Sequence, residues 1–149
     1  MSQKVMNRWL VVVGAILVQL CLGAIYAWSV FTPKLKEAGW SAQDTQAVFA
    51  AGLAAFAVVM VIAGRLMPKV GPRKLTIAGG VVLGLGYALA GLFGGTSFTS
   101  IFIFIGLVGG AGIGLAYVVP IAVGTAWFPD KKGLIMGLAV AGFGFGAMF

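Results

Sequence analysis

Charged residues divide this chain into long apolar runs and leave the runs themselves unbroken. The first uncharged run lies between Arg8 and Lys34, the second between Asp44 and Arg65. The third covers 55 residues between Lys74 and Asp130, and a last one extends from Gly133 to Phe149. A helix rising 1.5 Å per residue needs roughly 20 residues to cross a hydrocarbon core of about 30 Å. The third run is therefore long enough for two crossings and a hairpin. Its natural break is Gly94-Gly95-Thr96-Ser97, a cluster of turn formers between two apolar blocks. The pattern predicts an all-α membrane protein with four complete crossings and a fifth that is barely long enough.

Composition supports this. Hydrophobic residues make up 61% of the chain and charged residues 9%, against about 25% charged in soluble domains. The 24 glycines suit helices that pack closely in lipid. A net charge of +7 would suit nucleic acid, but the placement of the bases argues for a membrane topology instead. Lys4, Arg8, Arg65, Lys69, Arg73, Lys74, Lys131 and Lys132 all fall on one side of the bilayer. The other side has Lys34 and Lys36, offset by Glu37 and Asp44. Cytoplasmic loops carry the Lys/Arg excess, so the N-terminus is expected inside. The lone cysteine, Cys21, allows no disulfide framework. The first apolar run is too long for the core of a cleavable signal. An odd set of crossings with a ragged apolar end predicts that residues 1–149 are an incomplete N-terminal helix bundle, the front part of a longer protein.

Small residues recur at four-residue spacing: Gly80, Gly84 and Ala88; Gly106, Gly110 and Gly114; Gly133, Gly137 and Ala141. Such ladders let two backbones approach, which predicts tight helix packing or, alternatively, sliding surfaces. Tyr26 and Tyr117 lie well inside uncharged helices, where a phenolic hydroxyl needs a partner. Leu22-Gly23-Ala24-Ile25-Tyr26 resembles Ile113-Gly114-Leu115-Ala116-Tyr117. The match predicts that the first and fourth helices are copies in an inverted three-helix repeat, an arrangement that places substrate sites near the midplane. The alternative is that both hydroxyls bond a backbone carbonyl. Gln19 and Trp28 share the first helix, Trp28 being equally suited to interfacial anchoring, and Pro120 interrupts the fourth. Phe143, between Gly142 and Gly144, suits packing as well as ligand contact.

Histidine is absent, no acid lies inside a helix, and no nucleophile–base pair or metal cluster can be assembled. No cofactor is expected and an enzyme is disfavoured. A proton relay normally uses an intramembrane acid or histidine, so any coupling group must lie outside these residues.

The segment Gly64-Arg65-Leu66-Met67-Pro68-Lys69-Val70-Gly71-Pro72-Arg73-Lys74 resembles the signature between the second and third helices of the major facilitator superfamily. Gly64, Lys69, Gly71, Arg73 and Lys74 match, whereas Pro68 replaces the usual aspartate. Asp130, on the other loop of that side, is a candidate substitute carboxylate. Leu22 to Phe31, together with Trp127-Phe128-Pro129 before Lys131-Lys132-Gly133, is similar to the oxalate/formate antiporter and monocarboxylate transporter group. That resemblance implies a twelve-helix protein of two six-helix halves rocking about a central site, with the missing C-terminal half supplying the anion-binding bases. It also implies pocket positions at Tyr26, Tyr117 and Phe143, with Trp28 and Gln19 as further candidates. Gly64, Lys69, Gly71, Arg73, Lys74 and Asp130 would form the gating loops.

The expected function is secondary active transport of small organic anions, such as lactate, formate or oxalate, across a prokaryotic inner membrane by alternating access. Antiport and proton symport both remain open. A major-facilitator transporter of another cargo and a non-transporting membrane subunit are the rival readings. The expected partners are the anion, a proton if transport is symport, membrane lipid and the missing half, with no nucleic acid.

Overall fold

The computed structural model describes residues 7–148. Five helices account for nearly all of them: α1 (Arg8–Glu37), α2 (Ala42–Val70), α3 (Pro72–Gly94), α4 (Phe98–Trp127) and α5 (Lys132–Phe145). The first four are long and apolar enough to cross a membrane, whereas α5 has 14 residues. Lys4, counted above among the basic residues, lies outside the described residues.

The connections are short because the sequence places turn chemistry at each one. Ser41 caps α2 in a reciprocal box: its Oγ accepts from the Asp44 amide at 3.1 Å, and Asp44 Oδ2 accepts from the Ser41 amide at 2.9 Å. Gly95, with φ of +50°, closes the expected hairpin after α3. The segment from Gly64 to Lys74 corrects the expectation of an extended loop. Helix α2 continues through Pro68 to Val70, and α3 begins at Pro72. Only Gly71 is left as the connection. Its φ of +90° is a conformation that favours glycine, and Pro72 follows at the first helical position, where a missing N–H costs nothing. Gly64 is helical and faces open space, so it makes no turn.

Helices meet where glycine removes the side chain from between them. α4 is the hub. A Cβ on Gly114 would lie 2.7 Å from the Phe56 carbonyl oxygen of α2, and one on Gly110 would collide with the carbonyl of Gly52. On another face, a Cβ on Gly79 of α3 would lie 2.7 Å from Ala116 Cβ. The ladder Gly106, Gly110, Gly114 therefore packs as expected. The other two ladders do not. A Cβ on Gly80, Gly84, Gly133 or Gly137 would meet nothing within 4 Å, and the contacts fall instead at Gly79, Gly86, Gly142 and Gly146. Each partner backbone crosses one or two positions away from the stripe that spacing alone selects.

The two ends of the bundle are tied differently. At one end Trp28 Nε1 donates to the Thr45 carbonyl at 3.0 Å, and Trp40 Nε1 to the Thr96 carbonyl at 2.9 Å. At the other, Arg8 lies 3.6 Å from Asp130 and 4.7 Å above the ring of Phe128, a fully buried side chain. Asp130 thus pairs with the start of α1 in this structure. Among the described residues Arg65, Lys69, Arg73 and Lys74 make no side-chain hydrogen bond or ion pair.

An aromatic box at the crossing of four helices: the candidate functional site

Tyr26, Tyr117 and Phe143 come together although they lie on three different helices. Phe143 is the centre, with the Tyr117 ring edge-on at 4.9 Å and the Tyr26 ring edge-on at 5.3 Å. Phe56 of α2 completes the box, 5.1 Å from Tyr117 and stacked on Phe143 at 6.1 Å. Edge-to-face contacts of this kind add about 0.5–1.5 kcal/mol each beyond area burial. The rings therefore hold one another in place.

Local structure explains the convergence. Gly23 brings α1 against α5: a Cβ there would clash with the Phe143 carbonyl and lie 2.9 Å from Gly146 Cα. Over Gly23–Ala27 the helix tightens to 3₁₀ geometry, which turns Tyr26 towards Phe143. Gly114 does the same for α4 against the Phe56 carbonyl of α2. The two halves of the box are thus built alike, glycine on one helix against a phenylalanine carbonyl on the next. In each case the tyrosine follows its glycine by three residues, Tyr26 after Gly23 and Tyr117 after Gly114.

The hydroxyls differ in setting from the alternative considered for them. Among the described residues neither phenol oxygen makes a hydrogen bond, so neither is spent on a backbone carbonyl. Tyr26 is 41% exposed, and Phe143 is buried with 6% exposure. The box consequently presents two phenol groups over an apolar floor, an arrangement that can orient a small polar group beside apolar atoms.

Gln19 lies beneath it, fully buried. Its Nε2 donates to the Tyr117 carbonyl at 3.5 Å, and its Oε1 has no partner among the described residues. The donated hydrogen bond is long, and it lies three residues before Pro120, whose ring leaves the Ala116 carbonyl without its usual helical donor. Trp28 stands apart from the box. Its indole N–H is committed to Thr45, and its ring borders a shallow depression of about 310 Å³ shared with Tyr26, Ser29, Thr32, Gln46 and Phe49. Arg73 lies at the basic end, remote from the aromatic rings, lining a cavity with Val11, Thr76 and Trp127.

Sequence reasoning missed Phe56. A signal was present: Ala55-Phe56-Ala57 shares the small–Phe–small pattern of Gly142-Phe143-Gly144 on α5. The polar side chains Ser29, Thr32 and Gln46 were also not anticipated. They carry no sequence pattern that distinguishes them from helix-surface residues.

The Major Facilitator Superfamily profile matches residues 8–149. The chain belongs to that family, which is one of transporters rather than enzymes. It is 32% identical over 144 residues to the uncharacterized MFS-type transporter YhjX of Escherichia coli K12, covering 95% of this chain and 35% of that protein. It is 36% identical over 107 residues to apicoplast pyruvate carrier 1 of Toxoplasma gondii, covering 70% of this chain and 19% of that one. Similarity to the oxalate:formate antiporter of Oxalobacter formigenes is 29% identity over 144 residues, covering 95% and 34%. The chain spans about a third or less of the length of these relatives. Its resemblance to the antiporter and monocarboxylate group thus stands on this similarity as well as on motifs.

Proposed function

We propose that this chain is the first part of a secondary transporter of small organic anions, monocarboxylates such as lactate or formate, or oxalate, working by alternating access. The observation that carries the proposal is the pair of unspent tyrosine hydroxyls over an apolar aromatic floor. A carboxylate accepts hydrogen bonds strongly from phenols, and its short carbon chain lies against Phe143 and Phe56. Tyr26 and Tyr117 orient the anion, and Gln19 fixes the Tyr117 backbone. Trp28 ties α1 to the start of α2 through Thr45 and borders the approach to Tyr26.

The names of two relatives, a pyruvate carrier and an oxalate:formate antiporter, fit a carboxylate cargo. Two phenols alone do not neutralise an anion. The compensating bases therefore belong to the other half of the transporter, beyond these residues. α5 is read as a fifth crossing, with the basic end facing the cytoplasm of a prokaryotic cell. There Arg73 and Lys74, with Lys69 and the Gly71 turn, meet the second half when the cytoplasmic side closes. Gly64 stays a helical position and Asp130 acts locally, through Arg8.

The test is uptake of labelled lactate, formate and oxalate into liposomes containing the complete gene product, with and without an inward proton gradient. Saturable uptake accelerated by the gradient indicates symport, and uptake only against preloaded anion indicates exchange. No saturable uptake of any of the three acids overturns the substrate assignment.

A further inference from the structure

The depression of about 310 Å³ beside Tyr26 opens between α1 and α2, at the end of the bundle opposite Arg8. α1 supplies Tyr26, Trp28, Ser29 and Thr32 to it, and α2 supplies Gln46 and Phe49. It adjoins the aromatic box at two places. Tyr26 belongs to both, its ring edge-on to Phe143. Phe49 packs against the core cluster that contains Phe143, beside Phe56 and Tyr117. The space equals roughly ten water molecules at about 30 Å³ each, so a small solute fits with part of its hydration shell.

The polar groups around the depression differ in what they can offer. Ser29 Oγ donates to the Tyr26 carbonyl at 3.4 Å, and Thr32 Oγ1 donates to the Trp28 carbonyl at 3.2 Å. With their hydrogens directed at helix carbonyls, both hydroxyls are left with lone pairs to present. The Trp28 indole N–H is committed to Thr45. Two donors remain in the lining, the Tyr26 phenol and the Gln46 amide, and neither side chain is hydrogen-bonded among the described residues. Gln46 is held in register with α1, because the buried Thr45 just before it accepts the Trp28 N–H at 3.0 Å. The nearest acid in sequence, Asp44, is turned to Ser41, whose amide and hydroxyl both donate to it. Phe49 follows Gln46 by three positions, which places the two on one face of α2. That face therefore sets an N–H donor beside an aromatic ring, which suits a carboxylate with a short apolar chain.

We propose that the depression is a second subsite for the acid, in which Gln46 Nε2 donates to the carboxylate and the Phe49 ring supports the carbon chain. The two residues thereby set which acids reach Tyr26. The assignment rests on the carboxylate reading of the aromatic box and adds a division of labour to it. Gln46 serves every carboxylate alike, whereas Phe49 serves those with an apolar chain. Lactate has a methyl group to place on the ring, and formate has none.

KM and Vmax for formate, lactate and oxalate, measured with the complete gene product in liposomes, separate these contributions. Gln46→Leu should raise KM about fivefold for each transported acid, the loss of one hydrogen bond, with Vmax unchanged. Gln46→Glu puts an anion where the donor stood. Its KM should rise about twentyfold at low salt and fall towards that of Gln46→Leu as salt screens the repulsion. Phe49→Ala should raise the KM for lactate about threefold relative to that for formate, the worth of one methyl contact. This ratio is unaffected by loss of folded protein. Wild-type KM values in both Gln46 variants, with uptake retained, would overturn the subsite and leave the substrate assignment standing. An unchanged lactate-to-formate ratio in Phe49→Ala would overturn the part given to the ring, as would a wild type that transports formate but not lactate. A wild type with no saturable uptake of any of the three acids would overturn the substrate assignment and the subsite with it.

Discussion

α1 and α4 carry the same Gly-x-x-Tyr element and end up in different surroundings. α4 is enclosed by α2, α3, α1 and α5, with glycines 109, 110, 112 and 114 each against a neighbour. α1 holds α5 through Gly23 and meets α4, but its third face, at Leu17, Val18 and Cys21, is open. Yet Tyr26 and Tyr117 reach the same phenylalanine. The contact that positions the tyrosine is therefore local to the glycine three residues before it and indifferent to how the rest of the helix is packed.

The largest effect should come from filling an occupied glycine position. Gly112→Leu should cost about 3 kcal/mol or more of overpacking, read as lost thermal stability in detergent. Gly133→Leu, where a side chain meets open space, should stay within about 0.5 kcal/mol. Equal losses at the two sites would break the distinction between packed and open glycines.

Within the box, Phe56→Ala should remove about 3 kcal/mol of stability and raise the KM for uptake, because it withdraws the ring that braces both Tyr117 and Phe143. Phe56→Leu should recover most of the stability. Full recovery of KM as well would show that the ring's shape, and not its volume, is dispensable.

Gln19→Leu should change stability by less than about 1 kcal/mol, since it removes one long hydrogen bond together with a buried carbonyl oxygen that lacks a donor. A large loss would mean that Oε1 has a partner in the complete protein. At the basic end, Asp130→Asn should cost less than about 1 kcal/mol, and the loss should shrink as salt is raised, because its pair with Arg8 is half-exposed. A salt-independent loss would contradict that reading.

Much of this arrangement was legible beforehand, for identifiable reasons. Charge-free runs report helices because nothing in a bilayer solvates a charge, and the Gly94–Ser97 break reports a hairpin because glycine and serine leave helical geometry easily. The tyrosine pair was visible because both tyrosines follow a glycine by three residues in similar apolar contexts. Side-by-side glycines were not: Gly79-Gly80 offers two faces about 100° apart, and only the partner's position selects Gly79. The same holds for the tail of α2. Pro68 and the glycines on either side of it read as a loop, whereas the helix absorbs Pro68 and uses Gly71 alone. The Arg8–Asp130 pair joins residues more than a hundred positions apart, and no local pattern announces it. Phe56 is one phenylalanine in a uniformly apolar run, and only its small–Phe–small context, shared with Phe143, sets it apart.

The central claim is that the two tyrosine hydroxyls bind the cargo's carboxylate. Carboxylate uptake by the complete gene product in liposomes, compared between wild type, Tyr26→Phe and Tyr117→Phe, tests it most directly. Each variant should fold as the wild type does, keeping its ring contacts, and should show a KM raised about tenfold, the cost of roughly 1.4 kcal/mol for one hydrogen bond to a charged group. An unchanged KM in both variants would contradict the account and leave the aromatic box as a packing feature of the bundle.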